Sequence, residues 1–321
     1  MLRLIFFGTP EFAVPSLEAL FGSPHAVVGV VTQPDRPKGR GHQVVAPPVK
    51  RLALERGVRV WQPVRLRDEG WLGEVRSLAA DLGVVAAYGR ILPEVLLALP
   101  RLGMINVHAS LLPSWRGASP VHRAVMAGDR ETGVSIMRVV QELDAGPVLA
   151  TAVRPIGEAE TSADVERDLA TIGAGLLLRV ISAIERGAAK ETPQDPARAT
   201  FAPRLTKEEG VIDWAQPARV VHNRIRGLHP WPLASSWIGG ARLLVLRAQP
   251  SGPPAEGSPL APGTVVAAGG RRLVVACGDH TAIELLEVQP EGRRPMAVRD
   301  FLAGHRLTPG ARFTTSPSDS A

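Results

Sequence analysis

The sequence predicts an α/β fold: a parallel sheet covered by helices on both faces, followed by a second, smaller domain built as a β-barrel. Two observations predict it. In the first half, short buried apolar runs alternate with helical patterns, and such alternation means crossover connections and parallel strands. In the last third, a series of short apolar runs separated by turn signals has the spacing of a small barrel. The chain has 321 residues, 45% of them hydrophobic, enough for a large core and for two domains.

The elements follow in order. Apolar runs at 2–7, 27–32, 84–87 and 104–108 read as buried strands, with helical patterns at 14–21, 48–55, 71–82 and 93–99 between them. The first run is too short for a signal peptide and enters the turn Gly8-Thr9-Pro10 directly. After Asp129 the texture changes, and 134–140 with 147–155 reads as an antiparallel pair whose tip lies near Asp144-Ala145-Gly146. A long helix runs from Ser162 to about Glu185, capped by Thr161 or Ser162 and ended by Gly187. Residues 187–206, rich in proline, alanine and polar residues, resemble a linker. A helix at 218–226 precedes the short runs 235–238, 243–249, 263–267, 273–276 and 283–289, and a closing helix is expected at 296–303. The expected division is therefore a first domain over 1–186, a linker over 187–206, a second domain over 207–312 and a tail over 313–321.

Composition excludes several classes. No apolar run reaches the roughly 18 residues of a membrane span. A single cysteine, Cys277, rules out an internal disulfide, argues against a cysteine metal site and points to the cytoplasm; it is expected as a buried core residue. The net charge of +6 is small, and lysine occurs only at 38, 50, 190 and 207, so the position of the arginines says more than their number.

Chemistry concentrates in Asn106-Val107-His108 and, later, Asp144. Residues two apart on a strand share a face, which puts Asn106 and His108 together at the carboxyl end of a buried strand, where open α/β sheets bind ligands. An amide donor, an imidazole and a carboxylate on an Asp-Ala-Gly turn are the parts that acyl transfer needs. A nicotinamide site would need G-x-G-x-x-G after the first strand, and Gly8-Thr9-Pro10-Glu11-Phe12-Ala13 lacks its second and third glycines.

The string NVHASLLPSWRGASP at 106–120, with LDAGP at 143–147, resembles the signature of the 10-formyltetrahydrofolate-dependent formyltransferases. FFGTPEFAVPSL at 6–17, TQPDRPKGRG at 32–41, VAAYGRILP at 85–93 and HPWP at 229–232 narrow the resemblance to those members that formylate the α-amino group of initiator methionyl-tRNA. It implies a Rossmann-like formyltransferase domain and a C-terminal OB-like β-barrel domain, with 10-formyltetrahydrofolate as formyl donor and no catalytic metal. It carries over Asn106, His108 and Asp144 as the catalytic trio and Ser110, Leu111, Leu112 and Pro113 as the folate-contacting stretch. In that chemistry the Asn106 amide is a donor for the tetrahedral oxyanion, His108 either donates to it when protonated or moves a proton from the amine towards the leaving nitrogen, and Asp144 either accepts a hydrogen bond from the imidazole and fixes its tautomer or receives the proton itself.

Residues 34–51 hold Arg36, Lys38, Arg40, Lys50 and Arg51 against one acid, Asp35, and their glycines and prolines read as a loop. The resemblance makes this loop the contact to the tRNA acceptor end, through Arg40 first and then Arg36 and Lys38. In the second domain His222, Arg224, Arg226 and His229, with Arg271-Arg272 and Arg293-Arg294, suggest a weak, nonspecific RNA surface, and Trp231 reads as a packed anchor. The expected protein is a cytoplasmic monomer with no membrane contact. Its rivals are a formyltransferase with a small amine acceptor, a 10-formyltetrahydrofolate hydrolase and a nonenzymatic RNA binder. The basic loop and the basic second domain disfavour the first two, and the intact trio disfavours the third.

Overall fold

Apolar runs of five and six residues become the central strands. The computed structural model describes residues 1–38, 43–252 and 260–317, and the chain divides into two units. The first comprises Met1–Pro120, Glu131–Pro155 and Glu166–Pro203. Its strands are β1 (Arg3–Gly8), β2 (Ala26–Val31), β3 (Arg36–Lys38), β4 (Gln43–Val45), β5 (Val60–Trp61), β6 (Leu82–Ala86), β7 (Met104–His108), β8 (Arg116–Gly117), β9 (Glu131–Arg138), β10 (Val148–Pro155) and β11 (Phe201–Ala202).

Seven of these form one sheet in the order β10-β9-β7-β6-β1-β2-β5. The strands from β7 to β5 are parallel, whereas β9 and β10 are antiparallel. Strand order reverses between β1 and β6, the switch point of a Rossmann-like fold, and ligands bind such sheets outside the carboxyl ends of the strands. There the Thr9 hydroxyl donates to the Tyr88 carbonyl at 3.2 Å. On one face Ile5, Phe7, Val31, Val85 and Met104 pack with Trp71, Leu72 and Val75 of the helix Glu69–Ser77. Leu4 and Phe6, on the opposite face of β1, are also fully buried. A side chain of this kind contributes about 1.5–3 kcal/mol on burial, so β1 anchors the whole sheet.

Three local features differ from expectation. The helix expected to reach residue 82 stops at Ser77. Ala79 takes a φ of 46°, and Asp81 accepts from the Arg3 amide at 2.7 Å and from Arg101 Nε at 2.6 Å, which pulls the chain into β6 two residues early. The basic stretch is not all loop: β3 and β4 pair as an antiparallel hairpin. Finally, 187–206 does not run as a separate linker. Residues up to Pro203 belong to the first unit, where β11 pairs in parallel with β8 and Thr192 bridges Val148.

The second unit comprises Val121–Arg130, Ile156–Val165 and Arg204–Ala321. Its strands are β12 (Ala234–Ile238), β13 (Ala241–Ser251), β14 (Val265–Gly269), β15 (Arg272–Ala276), β16 (Ala282–Pro290), β17 (Met296–Ala297) and β18 (Phe313–Thr314). They form an antiparallel sheet in the order β14-β15-β16-β13-β12-β18, with β17 on β16. A bridge from Thr264 to Arg312 joins the two edges, so the sheet curls into a barrel. Trp214, Val221, Ile225, Val245, Leu285, Phe301 and Phe313 fill it, and the helix Ala218–Gly227 supplies Val221 and Ile225. The expected tail starts too early by two residues, because Phe313 and Thr314 pair with Ile238 and Trp237. The last part of that tail, 318–321, lies outside the described residues.

Candidate active site

Strand β7 delivers Asn106 and His108 to the carboxyl edge of the sheet between β6 and β9, with His108 opposite Ser135. His108 is buried, and its Nε2 lies 3.0 Å from the Trp115 carbonyl oxygen. A carbonyl only accepts, so this contact assigns the proton to Nε2 and leaves Nδ1 of the neutral ring with its lone pair. Nδ1 faces Asp144 Oδ2 at 3.7 Å, beyond hydrogen-bond length but within ion-pair range. The tautomer is therefore set by a backbone carbonyl rather than by Asp144 as expected.

Asp144 sits at a φ of 48°, and its Oδ2 accepts from the Gly117 amide at 2.9 Å. Asn106 is half-buried, and its side-chain amide has no hydrogen-bond partner among the described residues. The arrangement offers a free amide donor and a basic nitrogen on one strand, with a carboxylate ready to face that nitrogen once it is protonated.

Loop 110–117 follows β7. Ser110 is fully buried and its hydroxyl donates to the Ser114 carbonyl at 2.6 Å, so its side chain presents no surface to a ligand. Its hydroxyl shapes the loop. Ser135 braces the same loop from β9. Its hydroxyl donates to the Ser110 carbonyl at 2.7 Å and accepts from the Leu112 amide at 3.0 Å. Leu111, Leu112 and Pro113 remain partly exposed and give the loop an apolar surface beside His108.

Trp115, which stands beside the folate motif and reads in sequence as either a packed anchor or a stacking platform, completes the site with three residues that sequence reasoning passed over. Trp115 adopts a φ of 61°, uncommon for a bulky residue, and its amide donates to Thr200 Oγ1 at 2.9 Å. Arg116 is buried, and its Nε and Nη2 donate to Gln194 Oε1 at 3.1 and 2.9 Å. The Gln194 amide donates in turn to the carbonyls of Asp144 and Gly146, at 2.8 and 2.7 Å. A tryptophan-arginine-glycine turn beside a histidine strand was the only local signal for Arg116. Gln194 and Thr200 carry none, because their partners lie 50 and 85 residues away in sequence.

The basic stretch is less free than its composition. Lys50 donates to Asp35 at 2.6 Å, and Gln62 donates to the other Asp35 oxygen at 2.6 Å. These hydrogen bonds hold the Asp35 carboxyl below its ordinary range. Arg51 pairs with Glu11 at 3.4 Å, and Arg36 is exposed. Arg40 and the side chain of Lys38 lie outside the described residues.

In the second unit the expected RNA surface shrinks. His222 is buried, with Nδ1 2.9 Å from the Ala248 carbonyl and Nε2 2.8 Å from the Glu158 carbonyl. Arg224 donates to the Glu209 carbonyl, and Arg226 is buried against Asn223, Gly157 and Glu160. These three hold the unit together. Arg271, Arg272, Arg293 and Arg294 are exposed. Trp231, expected as a packed anchor, is 48% exposed.

Known proteins resemble this chain over most of its length. Residues 2–181 match the formyl transferase family and residues 204–306 match the formyl transferase C-terminal domain. The methionyl-tRNA formyltransferase of Myxococcus xanthus (strain DK1622) is 49% identical over 310 residues, covering 97% of this chain and 97% of that one. The methionyl-tRNA formyltransferase of Moorella thermoacetica is 45% identical over 309 residues, covering 96% of this chain and 98% of that one. Among solved structures, the N-formyltransferase of Helicobacter canadensis in complex with folinic acid and dTDP-3-aminofucose has a similar fold, with a TM-score of 0.66 at 16% identity over 90% of this chain and 100% of that one. HypX of Aquifex aeolicus in complex with tetrahydrofolic acid has a TM-score of 0.61 at 19% identity, covering 94% of this chain and 47% of that one. No helix among the described residues is long and apolar enough to cross a membrane.

Proposed function

The chain belongs to the formyl transferase family, and from that membership we propose that it transfers the formyl group of 10-formyltetrahydrofolate to the α-amino group of initiator methionyl-tRNA. The observation that carries the reading is near-full-length identity of 45–49% to relatives named for that reaction, spanning both matched regions. Under this reading it is a one-carbon transferase acting as a cytoplasmic monomer. The first unit carries the chemistry and the second helps to hold the tRNA.

The α-amine attacks the formyl carbon, a C–N bond forms, and the carbonyl oxygen becomes an oxyanion. An α-amino group has an ordinary pKa of about 8, so much of the nucleophile is already neutral and stabilising the oxyanion matters most. The Asn106 amide, without a hydrogen-bond partner among the described residues, is the donor for it; one such donor is worth about 3 kcal/mol. His108 Nδ1, whose lone pair is free because Nε2 carries the proton, takes the proton that the amine loses. The imidazolium so formed stands 3.7 Å from Asp144, which stabilises it. Collapse of the intermediate breaks the bond from the formyl carbon to N10 of the folate, and N10 receives the proton from His108. Acid–base help of this kind is worth roughly 10²–10⁴-fold. No step of this chemistry calls for a metal ion.

Leu111, Leu112 and Pro113 offer the apolar surface against which the folate ring lies, and Ser110 holds their loop in shape. Arg36, Lys38 and Arg40 hold phosphates of the acceptor end, an interaction that weakens as salt displaces it.

The test is formyl transfer from 10-formyltetrahydrofolate to charged initiator methionyl-tRNA, with water as the control acceptor. Transfer that requires the charged tRNA and falls steeply with salt supports the reading. Folate turnover without tRNA would replace it with a hydrolase, and transfer to a small amine alone would replace the acceptor.

A further inference from the structure

We propose that Gln194 and Thr200 are positioning residues of the catalytic centre: the strap formed by residues 192–202 sets the separation and orientation of His108 and Asp144. The proposal rests on the catalytic roles given above to those two residues.

The strap is tied down at both ends. Thr192 exchanges two backbone hydrogen bonds with Val148, at 2.8 and 2.9 Å, and β11 lies alongside β8. Between these ties it reaches both catalytic loops. Gln194 uses the full hydrogen-bonding capacity of its amide. Nε2 donates to the carbonyls of Asp144 and Gly146, and Oε1 accepts twice from Arg116. The amide has only one possible orientation, because a guanidinium cannot accept and a carbonyl cannot donate. One side chain thus joins the loop that carries Asp144 to the residue next to Trp115.

Thr200 grips the other side. Its hydroxyl oxygen accepts from the Trp115 amide at 2.9 Å, its amide donates to the Pro113 carbonyl at 3.3 Å, and its carbonyl accepts from the Arg116 amide at 2.8 Å. Trp115 is held on its amide by the strap while its carbonyl holds Nε2 of His108. A φ of 61° at a tryptophan persists only where neighbours over-determine it, and the strap supplies such neighbours. The orientation of the imidazole and the place of the carboxylate therefore both pass through residues 194 and 200. Neither side chain is needed for the proton transfer itself, and their influence is geometric.

Two variants and one control test this. In Gln194→Glu the Arg116 contact survives, but a carboxylate oxygen replaces the donor that faces two carbonyl oxygens, so the 142–146 loop is pushed from its place. In Thr200→Val the shape survives and the acceptor for Trp115 is lost. Thr200→Ser keeps the acceptor and serves as the conservative rescue. Small misplacements of reacting groups cost up to about 10²-fold, so we expect kcat per folded molecule to fall about tenfold or more in the first two variants, with both KM values within about twofold of wild type. Thr200→Ser should match wild type.

A second readout does not depend on turnover. Long-range 1H–15N spectra of histidine-labelled protein report the tautomer of His108. Wild type should show the proton on Nε2, and Thr200→Val and Gln194→Glu should show a displaced or mixed signal. Lowered melting temperatures with wild-type kcat and an unchanged His108 spectrum would overturn the proposal. Wild type and His108→Ala run alongside keep the two claims apart. Undiminished transfer by His108→Ala sinks the catalytic reading, while the ring spectra still decide whether the strap positions the imidazole.

Discussion

Asp144→Asn separates the charge of the carboxylate from its part in holding the loop. Oδ2 of Asp144 accepts from the Gly117 amide, and an asparagine oxygen can keep that bond, so the loop should hold its shape. What disappears is the attraction between the carboxylate and the imidazolium proposed to form at His108 Nδ1, 3.7 Å away. The two side chains are only 15% and 6% exposed, so salt screens them weakly. At an effective dielectric constant of about 20, unit charges at this separation attract by about 4 kcal/mol. If all of that stabilises the transition state, its loss lowers kcat by roughly a thousandfold. The assay is single-turnover formyl transfer at saturating donor and tRNA, with affinities for both measured separately. A loss under about tenfold, with binding intact, would show that no imidazolium lies on the path or that Asp144 does not face it, and the proton route proposed here would be wrong.

Three further outcomes follow from the geometry. Gly117→Ala must fit a side chain at a φ of 123° with its Cβ 2.7 Å from the Ala202 carbonyl, so it should cost at least about 1–3 kcal/mol in a urea titration; an unchanged midpoint would contradict the placement of the strap against β8. Burial pushes the Cys277 thiol up to about 12, so iodoacetamide at pH 8 should leave the folded protein unlabelled and modify it only in denaturant; rapid labelling of the native protein would refute the burial. The Asp35 carboxyl is held low by hydrogen bonds from Lys50 and Gln62, so its contribution is present above the unfolded value of about 3.9 and is lost as pH falls through the lower folded value. Asp35→Asn should therefore lower the urea midpoint at pH 7 and converge with wild type towards pH 3, whereas an equal deficit at both pH values would speak against the ion pair.

The sheet was legible because its strands are buried on both faces. Runs such as Leu4-Ile5-Phe6-Phe7 and Val84-Val85-Ala86 have no polar residue to hide, and the helices between them force the parallel order. The spacing of Asn106 and His108 on one strand was legible for the same reason. Short elements were not: β5, β8 and β11 have two residues each, too few for any periodicity, and exist only because a distant partner supplies their hydrogen bonds. The same limit hid the strap. Gln194 and Thr200 stand in a segment whose prolines and alanines look like a linker, and only the folded chain brings them to Trp115, Arg116 and Asp144. It also concealed that the His222 ring and the Arg224 and Arg226 guanidinium groups are already engaged with backbone carbonyls. Composition records charge, but only the tertiary partners decide whether it is already engaged.

Proton transfer through His108 during formylation of initiator methionyl-tRNA is decided by turnover and tRNA affinity of His108→Ala beside wild type. Transfer should fall by about 10²-fold or more, the range of lost acid–base catalysis, while the affinity for charged tRNA should stay within about twofold. Retained transfer by His108→Ala, or no transfer by wild type under conditions where the tRNA binds, would contradict that route.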